Sequence, residues 1–129
     1  MSVDILIIHP DATKRKQLRE IVHQRGFESC ETDSAVEGVL LAREASPRGV
    51  IMDMSPNGMD GFVALKLIRT QLKEDAKVFS LGVEDPGLQS LAIELGADGA
   101  SNEAANHVAT FLTSITPSRR RSNFISSLP

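Results

Sequence analysis

Gly49-Val50-Ile51-Met52-Asp53-Met54-Ser55-Pro56-Asn57-Gly58-Met59-Asp60-Gly61 is the stretch that decides the fold. A short apolar run ends at an acid, and the segment after it is dense in turn-forming residues, so a buried strand stops where Asp53 begins. Asp60-Gly61 then ends the loop and caps a helix in which Phe62, Leu65, Ile68 and Leu72 share one face. Strand, acid, turn and helix in that order are half of a strand-helix-strand unit.

The same alternation extends in both directions. Upstream, Ile5 to Ile8 is a continuous apolar run of the kind buried on both faces of a parallel sheet, and His9-Pro10-Asp11 stops it. Asp11 or Thr13 caps a helix carrying Leu18, Ile21, Val22 and Arg25, which Gly26 ends in a left-handed conformation. Phe27 to Thr32 reads as a weak second strand. Asp33-Ser34 caps a second helix with Val36, Val39 and Leu40 as its apolar stripe, interrupted at Arg43 and closed by Ser46-Pro47. Downstream, Val78 to Leu81 is a fourth strand. Pro86 opens a helix with Leu88, Leu91, Ala92 and Leu95 that stops at Gly96. Ala97 to Ala100 makes a poor fifth strand, and Val108, Phe111, Leu112 and Ile115 give the final helix the cleanest period in the chain.

Five such alternations predict an open parallel sheet covered by helices on both faces, a three-layer α/β/α sandwich. The working crevice of such a sheet lies at the carboxyl ends of its strands. Here those ends carry His9, Pro10, Asp11, Asp53, Gly82 and the segment near Glu103.

Composition narrows the function classes. A chain of 129 residues fits one domain, and 14 basic against 17 acidic residues offer no general attraction to nucleic acid or an anionic membrane. No apolar stretch approaches membrane-spanning length, and no basic leader precedes Ile5. Cys30 is the only cysteine, so no internal disulfide forms and the cytoplasm is expected; Glu28 and Glu31 beside it disfavour a reactive thiolate. His23 and His107 have no metal-ligating partner at i+4 and are expected at the surface.

From Val3 to about Ile115 the chain resembles the receiver domain of bacterial response regulators, with the flavodoxin-like strand order 2-1-3-4-5. The run from Asp53 through Pro56 to Met59-Asp60-Gly61 carries most of the resemblance; Thr13, Arg15 and Gly96-Ala97-Asp98-Gly99 support it. The proline stands one place earlier than the family usually has it. The implied organisation is a receiver over residues 1–116 and a flexible tail or linker over 117–129, the latter with Arg119, Arg120 and Arg121 in succession.

The resemblance implies that Asp53 is the phosphoacceptor and that a partner histidine kinase supplies the phosphoryl group. It implies magnesium held by an acidic pair, by the phosphoacceptor and by the carbonyl at Ser55. Of these only Asp53 and that carbonyl remain, because the pair falls on His9 and Pro10; weak magnesium binding through Asp53, Asp11 and Ser55 is the most the residues offer. The family's hydroxyl falls on Gly82, its aromatic switch on Ala100 and its lysine on Glu103. Asp53 is then either a phosphoacceptor or a loop acid that hydrogen-bonds within its own turn. His9 is either a solvated loop residue or a partner of Asp53 or Asp11.

Three functions follow. The first is an atypical receiver, not an enzyme, that acts through contacts with signalling proteins, with the fourth helix, fifth strand and fifth helix as contact or homodimer face. The second is a working phosphorelay receiver. The third, ranked last, is a small-ligand module of the same fold, since no glycine lies between Ile8 and Lys14 to let a phosphate approach the backbone.

Overall fold

The computed structural model describes residues 3–102 and 105–115. The elements run β1 (Ile5–Ile8), α1 (Ala12–Gln24), β2 (Ser29–Thr32), α2 (Ala35–Ala45), β3 (Gly49–Asp53), α3 (Gly61–Gln71), β4 (Lys77–Leu81), α4 (Pro86–Glu94), β5 (Gly99–Ala100) and α5 (Ala105–Leu112). All strand pairs are parallel and the order is β2-β1-β3-β4-β5, as the sequence predicts.

Strand geometry explains why the apolar runs are unbroken. Successive side chains of β1 point to opposite faces, and both faces are covered. Ile5 and Ile7 join Ile51, Phe79 and Leu81 under Leu18 and Val22 of α1 and Val108, Phe111 and Leu112 of α5. Leu6 and Ile8 join Val50, Met52 and Val78 under Ala35 and Ala42 of α2, Ala64, Leu65 and Ile68 of α3, and Ala92 of α4. All four β1 residues are fully buried.

The caps follow local chemistry. The Asp11 carboxylate accepts from the Lys14 N–H at 3.0 Å, Ser34 Oγ from Glu37 at 3.2 Å, and Asp85 from Leu88 at 2.9 Å with Pro86 beside it at the first helical position. Gly26 (φ 87°) closes α1, the Gly26 N–H donating to His23 and the Phe27 N–H to Val22, the paired bonds of a left-handed helix stop.

Three expectations need correction. The buried face of α2 is Ala35, Gly38, Ala42 and Ala45, whereas Val36 and Leu40 are 52% and 44% exposed. The cause is close approach: a Cβ on Gly38 would meet Ile8 Cδ1 at 2.6 Å, so the helix comes closest to the sheet through small residues, with Val39 and Leu41 packing at its flanks. On α4, Ala92 is buried while Leu88 and Leu91 face outward. The edge strands are shorter than expected, with β2 starting at Ser29 and β5 reduced to Gly99–Ala100.

Candidate functional site

Asp53 is the last residue of β3 and is 7% exposed. The loop beyond it is pinned rather than free. Met54 N–H donates to the Leu81 carbonyl at 3.1 Å, Asn57 N–H to Asp33 at 3.2 Å, and Ala35 N–H back to Asn57 at 2.9 Å, which ties the turn to the start of α2. Gly61 is required where α3 begins, because a Cβ there would stand 2.0 Å from the Met54 carbonyl oxygen. Asp60 caps that helix, accepting from Phe62 and Val63 at 2.9 and 3.2 Å.

The Asp53 carboxylate is engaged on several sides. Its Oδ2 accepts from the Ser55 N–H at 2.9 Å, the local turn contact anticipated for a loop acid. Its Oδ1 lies 3.6 Å from His9 Nε2. Gly82 follows β4 at φ 76°, and a Cβ built on it would fall 2.8 Å from the same Oδ1. The left-handed backbone at Gly82 therefore lies against the acid.

His9 is 3% exposed, which sets aside the solvated-loop alternative and leaves the one that pairs it with Asp53. Its Nδ1 accepts from the Asp11 N–H at 3.1 Å, its N–H donates to the Thr32 carbonyl at 3.1 Å, and its carbonyl accepts from Arg15 Nη1 at 2.7 Å. Pro10 is half-buried beside it, while Asp11 is exposed. The hydrogen bond from Lys14 N–H, as the largest influence, holds the Asp11 carboxyl below its ordinary range.

Ala100 pairs with Ser80 across the β4–β5 register. The Ser80 side chain is fully buried and its hydroxyl has no hydrogen-bond partner among the described residues. Ser55 is exposed, and Glu103 lies outside the described residues. Burial, first of all, raises the Cys30 thiol above its usual 9.0.

One feature was missed from sequence. An open groove of about 570 Å³ runs between β5 and α5, lined by Lys77, Phe79, Ala100, Ser101, His107 and Phe111. Its floor is the stacked pair Phe79–Phe111, with ring centroids 5.0 Å apart. Ser101 Oγ meets His107 Nδ1 at one end. The regular spacing of α5 signalled Phe111, but nothing in the spacing signalled that Phe79 would lie against it.

The described residues offer a magnesium ion few of the oxygen ligands it prefers. Magnesium demands oxygen ligands in near-octahedral array. Here a nitrogen heterocycle faces Asp53, Asp11 is turned to cap α1, and among the described residues no group of three or more His, Cys, Asp or Glu could hold a metal. Nor, among the described residues, is any helix long and apolar enough to cross a membrane.

No protein-family model matches the chain. Among curated proteins, the chemotaxis protein CheY of Bacillus subtilis (strain 168) is 32% identical over 103 residues, spanning 79% of this chain and 83% of CheY. PilH of Pseudomonas aeruginosa is 30% identical over 79 residues, spanning 61% of this chain and 62% of PilH. Among solved structures, Vibrio cholerae chemotaxis protein CheY4 superposes with a TM-score of 0.77 at 18% identity, covering 90% of this chain and all of that one. The receiver domain of a Pseudomonas aeruginosa sensor histidine kinase, solved with magnesium coordinated in its active-site cleft, superposes at 0.73 and 15% identity, covering 88% of this chain and 96% of that one. The parallel order 2-1-3-4-5, an acid at the tip of the central strand and the extent of the match to CheY together place this chain in the receiver-domain family of two-component response regulators.

Proposed function

We propose that this chain is an atypical receiver that signals through protein contacts, with aspartyl phosphorylation impaired or absent. The observation that carries the reading is the position of Gly82 against Asp53. A phosphoryl group on Asp53 needs room for three oxygens and donors to meet them. Here the residue that faces Oδ1 after β4 is Gly82, which offers no side-chain donor to such a group. His9 and Pro10 replace the family's acidic pair, Ala100 replaces its aromatic switch and Glu103 its lysine.

The partners are signalling proteins, a histidine kinase or a downstream protein, met in the cytoplasm without nucleic acid or membrane contact by this domain. The contact or homodimer face is α4, β5 and α5, supported by exposed Leu88, Leu91 and Ile93 on α4 and by the groove along β5. Residues 1–116 form the receiver, and 117–129 serve as a tail or linker.

The working phosphorelay reading keeps one observation in its favour: Asp53 sits at the carboxyl end of a central strand, where such chemistry takes place. Incubation with a small acyl phosphate and magnesium, followed by intact-mass measurement of wild type and Asp53→Asn, separates the two. The expected result is no adduct on either protein. A magnesium-dependent adduct on wild type alone would establish the phosphorelay reading. Partner binding by Asp53→Asn is expected to equal wild type.

A further inference from the structure

The main chain sets the proton arrangement of the imidazole beside Asp53. Because the Asp11 N–H donates to His9 Nδ1 at 3.1 Å, that nitrogen bears a lone pair, and the proton of the neutral ring sits on Nε2. Nε2 stands 3.6 Å from Asp53 Oδ1, with the two side chains only 4% and 10% exposed. That separation is an electrostatic contact slightly longer than a hydrogen bond, and too short for a water to bridge.

A metal ion at Nε2 would need the lone pair of that nitrogen. The ring proton would then have to move to Nδ1 and face the Asp11 N–H, donor against donor. The His9 backbone is held at both ends, by the bonds to Thr32 and from Arg15, and turning the ring would break the bond from the Asp11 N–H to Nδ1. The fold thus opposes ligation by His9 and keeps its N–H end toward the carboxylate.

We propose that His9 takes the place of the divalent cation beside Asp53, presenting the Nε2–H end of its neutral ring to the carboxylate and so making the site metal-independent. The inference rests on the proposed reading of the chain as a receiver without the usual aspartyl phosphate, and it gives that reading a physical basis. His9 acts here as a positioning residue, through Asp53.

The test is nitrogen-detected NMR of the His9 ring together with the backbone amides of the full chain. Wild type is expected to show the Nε2–H ring, with no shift at the Asp53, Ser55 or Gly82 amides on addition of millimolar magnesium. His9→Asp, which returns an oxygen donor, is expected to gain saturable magnesium shifts at those amides. His9→Gln, which keeps an N–H at the end of the side chain, is not. An Nδ1–H ring in wild type, or saturable magnesium shifts in wild type, overturns the proposal. If His9→Asp does not fold, the wild-type ring pattern decides alone. A phosphoryl adduct that forms on wild type without magnesium, with the Nε2–H ring intact, would remove the proposed function and leave this inference standing, whereas a magnesium-dependent adduct would overturn both, so the two failures are distinguishable.

Discussion

Gly82 and His9 show how differently two neighbours of Asp53 can be read from sequence. The glycine marks a lost hydroxyl, but its left-handed φ of 76° and its closeness to Oδ1, where an added Cβ would clash, become visible only when β3 and β4 are side by side. Gly82→Ser is expected to destabilise the fold by about 1–3 kcal/mol in urea titrations, because the new Cβ meets the acid in a conformation non-glycine residues rarely adopt. It should not restore phosphorylation. His9 looked like a loop residue because proline and aspartate follow it. Its burial comes from the surrounding site, which local sequence does not describe. Cys30 was legible: partly covered, its thiol is raised above 9.0 mainly by burial, so alkylation by iodoacetamide is expected to lag free cysteine throughout neutral pH. The sign follows from the raised value, since the thiolate is the form that burial disfavours, and any stability linked to the neutral thiol is lost only as pH rises past that value.

Among the elements, caps were readable and buried faces were less so. Asp11, Ser34, Asp60 and Asp85 each accept from the first turn of a helix, a contact that depends on residues within three positions. The α2 and α4 stripes were misread because apolar spacing ranks side chains by hydrophobicity, whereas the distance between helix and sheet selects them by size. Where a Gly38 Cβ would reach Ile8 at 2.6 Å, alanines go in and Val36 and Leu40 stay out. Gly61 obeys the same rule against backbone. Gly61→Ala is expected to cost the upper end of about 1–3 kcal/mol, since the Met54 carbonyl cannot swing aside as a side chain could. Chemical denaturation of that variant against Val63→Ala, an exposed control on the same helix, checks it.

For the whole molecule, the distribution of exposed apolar side chains is lopsided. Val36, Leu40, Val63, Leu67, Leu88, Leu91 and Ile93 all lie on α2, α3 and α4, while the large exposed hydrophobics include none from α1 or the described part of α5. If α4 is part of the partner face, Leu88→Gln with Leu91→Gln should leave the thermal midpoint nearly unchanged and weaken partner binding or dimerisation by roughly tenfold or more, following the dominance of a few interface anchors. Calorimetry for stability and sedimentation or titration for association measure the two separately. Unchanged association in that double variant would move the contact face elsewhere.

Alternation of apolar strands with capped helices was enough to determine the sheet, its covered faces and the end at which Asp53 stands, because each of those features depends on periodicity and on neighbours a few positions away. The run Asp53 to Gly61 was enough to point to the family. The tertiary structure alone decided which helix faces are buried, that Gly82 lies on the acid, and that His9 turns its N–H end toward it. Those outcomes depend on distances between segments far apart in the chain, where a few tenths of an ångström decide whether a side chain, a hydroxyl or a metal ion has room.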